Sequence, residues 1–583
     1  MPQPSHRLSQ RSLIALVAPL TLSCLLLTGC GHHDNPDRDA TTDTTPAQPA
    51  RTTDASTSTP VTDTRWDINT GAHAPDQTDT SSWPVLNIAL DSLSVSSVSS
   101  QLVVQPPVDN ISTVTLDGKP VITVTRTAQG VTIRATTGNA HLAYQLTGTG
   151  TTPLTIQSDS DYRLLLSDAH LNSPDGPALH LQSTQTAFLD IKGNNTLSDT
   201  DLWNPRTGTD GTASSPSATL TASGPVVVRG DGSLGITSAA HHSLSIGGHL
   251  RMASGTLSLT AAAKDGLHAD HAFIMDGGAL TINTPAGKGI KVEGKENTSQ
   301  ALGFVAINDG QLSIKSHDKA ISASWKVKNA KTPETTDDPD PRVTINGGTL
   351  DITTTGTPVE HPDNTHELSP EGIEAKSVIA VHGGNLTLNT TDDCFNAGTR
   401  FDMTNGRVYA YSSLQDAVDS NGTMSISGGT LVAVSHAPRP EGALDSDSHE
   451  FAIRGGTLIG IGAYNSTPTA SASTQNVIAI PTNVDAGQWT VQDAAGNAAF
   501  SYRLPFRAGY LIASSPTLTK GSTYTIVRGG TLGPVGEDFH GLAIQPTTLT
   551  GGTPGDTFSI ADTLTKLGAT EFDWYSPELG PGD

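Results

Sequence analysis

The chain has 583 residues, with 57 acidic and 33 basic side chains and a formal net charge of −24 at pH 7. This charge argues against binding to nucleic acid or to an anionic membrane face, since both attract clusters of Lys and Arg. The three cysteines exclude a disulfide-dense scaffold, so packing and hydrogen bonds must stabilise the fold. A strongly acidic balance suits a protein that collects divalent cations, and solubility explains it almost as well.

Residues 1–29 have the features of a secretory signal peptide. Arg7 and Arg11 precede an apolar run from Leu13 to Leu27, which is too short to span a membrane as a mature helix. The run ends in Leu-Thr-Gly-Cys at 27–30, which resembles the lipobox of bacterial lipoproteins. The resemblance implies cleavage before Cys30, acylation of that residue, and a membrane contact made through the lipid alone. The residues after Cys30 lack the aspartate of inner-membrane retention, which favours the outer membrane and allows surface exposure.

Residues 30–85 are rich in Thr, Asp, Pro and Ser and contain few aliphatic residues. Such a segment buries too little apolar surface to offset its ordering entropy, so we predict a disordered tether. A flexible chain of this length has an end-to-end distance of roughly 40 Å. Residues 86–150 then alternate between apolar and polar residues, which predicts a β-rich N-terminal cap and the first coils.

From about residue 238 to 460 the sequence repeats every 22 or 23 residues wherever no insertion intervenes. Glycines in the second position of a turn mark the period: Gly255, Gly278, Gly310, Gly348, Gly384, Gly406, Gly429 and Gly456. A period of this length with short strands in each unit indicates a solenoid. We therefore predict an all-β chain with a right-handed parallel β-helix over 151–530. Residues 531–583 are predicted to be a weakly structured end segment.

Five units share a five-residue motif with a small second residue and an apolar third residue. They begin at Asp265, Glu371, Asp393, Asp416 and Gly442. Stacking of such units predicts one buried file formed by the third residues, which are Leu267, Ile373, Phe395, Val418 and Leu444. Each motif is followed by a strand in which Leu and Ile alternate with polar residues, so one face of that strand should be buried.

The motif also stacks carboxylates from consecutive coils about 4.8 Å apart. Like charges at this distance repel unless a cation lies between them, and Ca²⁺ accepts six to eight oxygens in irregular geometry. We predict one or more Ca²⁺ sites, with the ligands drawn from Glu371, Glu374, Asp392, Asp393, Asp416, Asp419, Asp445 and Asp447. Solvated turn residues are the alternative, since Asp is common in turns.

The units DGLHAD, EGIEAK, DDCFNAG and DAVDSNG, each with its following strand, resemble the calcium-associated, carbohydrate-binding parallel β-helix proteins of bacteria, which are related in fold to pectate lyases. The segments at 193–199 and 514–525 resemble the same family. The resemblance covers about residues 100–530. It implies a right-handed β-helix, surface Ca²⁺ and a polysaccharide partner such as a polyuronate or cellulose. Insertions at 325–341 and 356–369 depart from the pattern.

Four residues are candidates for contact with the sugar. Tyr409 and Tyr411 lie at outward positions of one strand and are candidate stacking platforms, or else a surface ladder. Lys376 and Arg400 are candidates to pair with uronates, although ordinary solvated charges are the more common case. We predict a monomeric, non-catalytic binder with no nucleic-acid partner.

A Ca²⁺-dependent pectate-type lyase is the main alternative, with Lys291, Lys319, Lys376 or Arg400 as the base. A hydrolase and a purely structural adhesin are further alternatives. The pairs His32-His33 and His241-His242 have no further metal ligands near them in the sequence, so neither predicts a closed zinc site.

Overall fold

The computed structural model describes residues 67–138, 140–201, 217–295, 303–326, 341–359, 368–544 and 548–568. The predicted signal peptide, the lipidation residue Cys30 and the tether up to residue 66 lie outside the described residues. Most of the insertions 325–341 and 356–369 and the last fifteen residues also lie outside them. In the described part, no helix has the length and apolar character needed to cross a bilayer.

The all-β class is confirmed, since the described secondary structure is strands and one short 3-10 helix, Ala74–Gln77. Residues 154–462 form a repeat stack in which each repeat contributes strands to three ladders, and equivalent strands of consecutive repeats pair in parallel. In the first ladder the strands are Leu154–Ser158, Leu179–Leu181, Ala218–Ala222, His242–Ile246, Leu267–Ala269, Ile290–Lys295, Ile321–Lys326, Ile373–Ala375, Phe395–Ala397, Val418–Ser420 and Leu444–Asp445.

The second and third ladders follow in each repeat. Three long strands contribute to both of them, namely Tyr162–Asn172, Thr423–Ser435 and Phe451–Gly462. The other strands of the second ladder are Ala187–Lys192, Val226–Gly230, His249–Met252, Ala272–Met275, Phe304–Ile307, Arg342–Ile345, Val378–Val381 and Arg400–Met403. The other strands of the third ladder are Asn194–Ser198, Ser233–Ser238, Thr256–Ala261, Ala279–Thr284, Gln311–Ser316, Thr349–Thr354, Asn385–Thr390 and Arg407–Ser412.

Glycines make the turn between the second and third ladders. All eight glycines that mark the sequence period have positive φ, between 78° and 104°, a region that side chains with a Cβ seldom adopt. A Cβ on Gly278 would come within 2.5 Å of the Gly255 carbonyl oxygen of the preceding repeat. The period therefore reflects both backbone conformation and the close stacking of equivalent turns.

The predicted apolar file is present along the first ladder. Leu267, Ile373, Phe395, Val418 and Leu444 are all fully buried. The register also places Ile290 and Ile321 in this file, between Leu267 and Ile373. These two residues belong to units that begin with Lys288 and Lys319, so the stack contains more copies of the motif than the five predicted.

The N-terminal region contains the strands Val85–Ala89, Ser94–Ser97, Leu102–Val104, Ile111–Leu116, Lys119–Thr127, Gly130–Ala135 and Leu142–Gly150. Antiparallel pairs join most of them. Gly130–Ala135 and Leu142–Gly150 then pair in parallel with the first strands of the stack. Residues 86–150 thus lead from hairpins into the parallel ladders.

The predicted end of the tether at residue 85 is too late, because the structure describes the chain from residue 67. Residues 67–83, called here the strap, lie along the outer face of the second ladder. The Asp76 carboxylate is fully buried and accepts hydrogen bonds from His73, His249 and Arg251. Trp83 stacks on His141 with ring centroids 4.6 Å apart. The aliphatic count missed this order because polar and aromatic contacts hold the strap.

The prediction that the solenoid extends to residue 530 is also wrong. Parallel pairing between repeats ends at Phe451–Gly462, whose end pairs antiparallel with Tyr510–Ser514. Val477–Ile480 joins Tyr510–Ser514 and pairs in parallel with Leu564–Lys566. An antiparallel sheet follows with the strands Gly487–Asp493, Ala498–Leu504, Thr523–Arg528, Glu537–Phe539, Leu542–Ile544 and Thr553–Ser559, and a small pair joins Thr531–Leu532 to Leu549–Thr550. This second core forms around Trp489 and Tyr502. The predicted weakly structured end therefore contains strands up to residue 566.

Candidate functional site

The outward positions of the first ladder carry the polar chemistry of the stack. Because the third motif residue points into the core, the fourth residue points outward, and in most repeats the first residue lies just before the strand. Along the stack the first residues are His242, Asp265, Lys288, Lys319, Glu371, Asp393, Asp416 and Gly442. The fourth residues are Ser245, His268, Lys291, Ser322, Glu374, Asn396, Asp419 and Asp445. The same two positions thus change from histidine to lysine to carboxylate.

Aspartates in the first position connect consecutive repeats. Asp393 Oδ1 accepts the backbone N–H of Asp416 at 2.9 Å, and Asp416 Oδ1 accepts the N–H of Gly442. Asp265 Oδ1 accepts the N–H of Lys288 in the same way, at 2.9 Å. One oxygen of each aspartate therefore has a structural role, which the sequence pattern did not reveal.

Asp416, Asp419 and Asp445, called here the acidic cluster, each offer a carboxylate oxygen within 4.8 Å of the other two. Burial and then Glu441 raise the pKa of Asp416, and burial and then Asp445 raise the pKa of Asp419. In the described residues no Lys or Arg forms an ion pair with the three aspartates. Carboxylate oxygens that converge on one point, with no lysine or arginine paired to them, suit a hard divalent ion, which binds carboxylate and carbonyl oxygens.

Three more of the predicted ligands lie beside this cluster. Asp393 is buried, and burial and then Asp419 raise its pKa. Asp392 accepts hydrogen bonds from Ser369 Oγ at 3.0 Å and from the Asp393 amide. The Asp447 amide donates to Asp445 Oδ1 at 3.0 Å, so Asp447 lies on the turn that follows this ligand. The acidic cluster and Asp393 are therefore the strongest candidates.

Glu371 and Glu374 are placed differently from the other predicted ligands. Lys319 Nζ lies 2.8 Å from Glu371 and 3.5 Å from Glu374, and Lys376 pairs with Glu374. Burial by itself raises the pKa of Glu374, but Lys319 and Lys376 outweigh it and lower that pKa to about 2. A protein cation already occupies the position that Ca²⁺ was predicted to take, so these two glutamates fit an ion-pair network better than a metal site.

The predicted sugar-binding side chains are mostly engaged with the protein. Tyr409 does point away from the stack, but its ring stacks on His540 with centroids 3.8 Å apart. Tyr411 is also half-buried against the second core. Both are covered because the C-terminal sheet packs on this face, so they are not open platforms. Arg400 is half-exposed and pairs with Asp402 at 2.6 Å.

Residues that the sequence reasoning missed complete the site. Asn396 Nδ2 donates to Asp393 Oδ2 at 3.1 Å, and Ser322 Oγ donates to Glu374 Oε2 at 2.8 Å. The fourth motif position gave a signal for both, since each stands where a neighbouring repeat has a carboxylate. Lys319 was considered as a base and not as a partner of the motif glutamates, because the motif alignment left out the units whose first residue is basic.

Residues 127–415 match the family model described as carbohydrate-binding domain-containing protein. The match is to a carbohydrate-binding family. The matched range contains the first-ladder strands from Leu154–Ser158 to Phe395–Ala397. It ends one residue before Asp416, so the acidic cluster lies just outside it. The match supports carbohydrate binding by the repeat stack.

Two other comparisons add no argument about function. No curated protein matches this sequence. The chain is similar to a solved structure of the polysaccharide lyase-like protein from C. thermocellum, a gadolinium derivative. That similarity has a TM-score of 0.32 and 16% identity, over 56% of this chain and 100% of the other.

Proposed function

We propose that this chain is a non-catalytic, cell-surface polysaccharide-binding protein. The match of residues 127–415 to a carbohydrate-binding family is the observation that carries the proposal. Our proposal for the architecture is the right-handed parallel β-helix predicted from the sequence, and the parallel pairing of equivalent strands in consecutive repeats supports it. The proposed binding unit is a single copy of the chain, since the three carboxylates invoked below converge within 4.8 Å of one another in that copy.

The proposed anchor is a lipid on Cys30, in the outer membrane of a bacterial envelope. The lipobox-like residues at 27–30 support it. The described part of the chain begins with the strap at residue 67, inside the range 30–85 that was predicted for the tether.

The proposed cofactor is Ca²⁺, with Asp416, Asp419 and Asp445 as the ligands and Asp393 beside them. The raised pKa values support this assignment, because each marks a carboxylate whose ionised form lacks a counter-charge. A bound Ca²⁺ would supply positive charge to which a uronate carboxylate can bind, which an acidic protein surface otherwise repels. A neutral glycan such as cellulose would not need that charge.

The ion pairs of the four candidate bases favour binding over a lyase reaction. Lys291 pairs with Glu293 at 3.1 Å, Arg400 pairs with Asp402, and Lys376 pairs with Glu374. Burial by itself lowers the pKa of Lys319, but Glu371 and Glu374 outweigh it and raise that pKa. A lysine that keeps its proton cannot accept one from a sugar, so Lys319 does not suit a general base, and the other three candidates are already paired with carboxylates.

Retention on insoluble polysaccharides tests the proposal. The full chain should be retained on polygalacturonate, and EDTA should release it, whereas retention on cellulose should not depend on EDTA. Failure to bind any polysaccharide would refute carbohydrate binding. Retention on polygalacturonate that EDTA does not change would refute the role of Ca²⁺. If polygalacturonate is instead cut to unsaturated uronate products, detected by their ultraviolet absorbance, the protein is a lyase.

A further inference from the structure

The histidine end of the first ladder contains a second group of metal-ligand side chains. His242 and Asp265 are first residues of consecutive motifs, and His268 is the fourth residue of the second motif. Each offers one ligand atom within 4.8 Å of the other two. The two imidazole rings lie edge to face, with centroids 5.4 Å apart. These three residues are called here the histidine cluster.

Two acceptor atoms face each other in the histidine cluster. The backbone N–H of Asp265 donates to His242 Nδ1 at 3.1 Å, so this nitrogen carries a lone pair rather than a proton. The same Nδ1 lies 3.4 Å from Asp265 Oδ2, which is also an acceptor. Two acceptors at this distance repel each other unless a cation binds both.

The third side chain also presents an unsatisfied nitrogen. His268 Nε2 is buried and has no hydrogen-bond partner among the described residues. The Asp270 carboxylate lies 3.8 Å away from it, beyond hydrogen-bond distance. Burial foremost lowers the pKa of both His242 and His268, that of His242 to about 4. Metal binding requires a ring nitrogen that carries a lone pair, as His242 Nδ1 does.

We propose that His242, Asp265 and His268 bind a first-row transition-metal dication of the Zn²⁺ class, at a site separate from the acidic cluster. Imidazole nitrogen is a preferred ligand of such ions, whereas Ca²⁺ prefers oxygen. Two tetrahedral ligands at about 2.0–2.1 Å from Zn²⁺ lie about 3.3 Å apart, close to the 3.4 Å between His242 and Asp265. Three protein ligands leave one position of a tetrahedral ion open to water or a ligand.

The surroundings are compatible with an added positive charge. Lys291 is the in-register neighbour of His268, but its amine pairs with Glu293 at 3.1 Å. Lys288 lies 3.7 Å from Asp318. The parallel register fixes the backbone of all three ligands, whose ligand atoms lie within 4.8 Å of one another and would have to come to about 3.3 Å to share a tetrahedral Zn²⁺.

Titration calorimetry with Zn²⁺ tests the site, using the full chain without a histidine tag. One ion should bind to the wild type. Loss of an outer-shell partner typically weakens metal binding by about 10–100-fold, so loss of a direct ligand in His268→Gln should weaken it by about 100-fold or more. The matched control is His382→Gln, whose imidazole is exposed and bonds to Thr404. This variant should bind Zn²⁺ like the wild type.

Two further measurements cover the case in which His268→Gln does not fold. Crystals of the wild type soaked in Zn²⁺ should give an anomalous peak between the three side chains. Co²⁺ added to the wild type should give the visible absorption of a tetrahedral site, and Asp265→Asn should lose it. Equal Zn²⁺ affinity of His268→Gln and wild type, or an anomalous peak elsewhere, overturns the proposal. Asp419→Asn should leave Zn²⁺ binding unchanged, so failure of the Ca²⁺ proposal is distinguishable.

Discussion

Asp419→Asn should change the stability of this protein in opposite directions with and without Ca²⁺. Asp419 is the member of the acidic cluster that shares its repeat with Asp416 and its register with Asp445. Asparagine keeps the shape of the side chain and can still accept the hydrogen bond that Asn421 donates at 3.2 Å. The substitution therefore removes charge and leaves the packing nearly unchanged.

The magnitude follows from the separation of the carboxylates. At the 4.8 Å that bounds the cluster, two full charges repel by about 3 kcal/mol at an effective dielectric constant near 20. Asp419 takes part in two of the three pairs. The raised pKa values mean that the cluster is only partly ionised without metal, so a smaller relief of about 1–2 kcal/mol is expected for the variant in EDTA. Ca²⁺ at 100 times its dissociation constant would stabilise the wild type by about 2.7 kcal/mol, and the variant should lose most of this gain.

Chemical denaturation in EDTA and in excess Ca²⁺ measures both effects. The control is Asp351→Asn, an exposed aspartate on the third ladder, which should change stability in neither condition. The reasoning is refuted if Asp419→Asn is less stable than the wild type in EDTA, or if Ca²⁺ stabilises the two proteins equally.

Three other predictions follow from the electrostatics. The Ca²⁺-induced gain in melting temperature should increase as the pH rises above about 4, the usual aspartate pKa, because protons held at the raised pKa values of Asp416 and Asp419 compete with Ca²⁺. A gain that falls as the pH rises contradicts the assignment. Lys319→Met should lower the free energy of unfolding at neutral pH by about 3–5 kcal/mol, since it leaves the buried Glu371 carboxylate without its lysine, whereas Glu374 keeps Lys376. The double variant Lys319→Met, Glu371→Gln should recover part of that loss when both are measured by chemical denaturation. A loss below about 1 kcal/mol in Lys319→Met alone would count against the ion-pair network. Asp76→Asn should accelerate proteolysis within residues 67–83, because it removes the buried charge that His249 and Arg251 contact, whereas the exposed Asp79→Asn should not.

The periodic part of the fold was predictable because one physical requirement recurs in every repeat. A positive-φ turn needs glycine, and a buried file needs an apolar third residue, so both left a mark at a fixed spacing. The units at Lys288 and Lys319 were missed because their first residue is basic. Their apolar residues Ile290 and Ile321 obey the same rule as the rest, so the alignment relied too much on charge and too little on burial.

The C-terminal region was mispredicted for a different reason. Alternation of apolar and polar residues indicates a strand but does not say whether its partner runs parallel or antiparallel. Trp489 and Tyr524 lie on strands, as predicted, yet these strands pair antiparallel in a separate sheet. That sheet covers Tyr409, and a contact between residues 131 positions apart leaves no local trace in the sequence.

The candidate sites show how one structural position can support several kinds of chemistry. The first and fourth motif residues have the same backbone setting in every repeat, and the register holds neighbouring copies at the distance between strands. Carboxylates alone give a cluster suited to a hard ion. A lysine one repeat away, as with Lys319 and Glu371, replaces the ion by a protein charge. Imidazoles beside one carboxylate, as with His242 and Asp265, give a softer ligand set. The stack therefore fixes where these side chains meet, and the residue type in each repeat decides which kind of cation they suit.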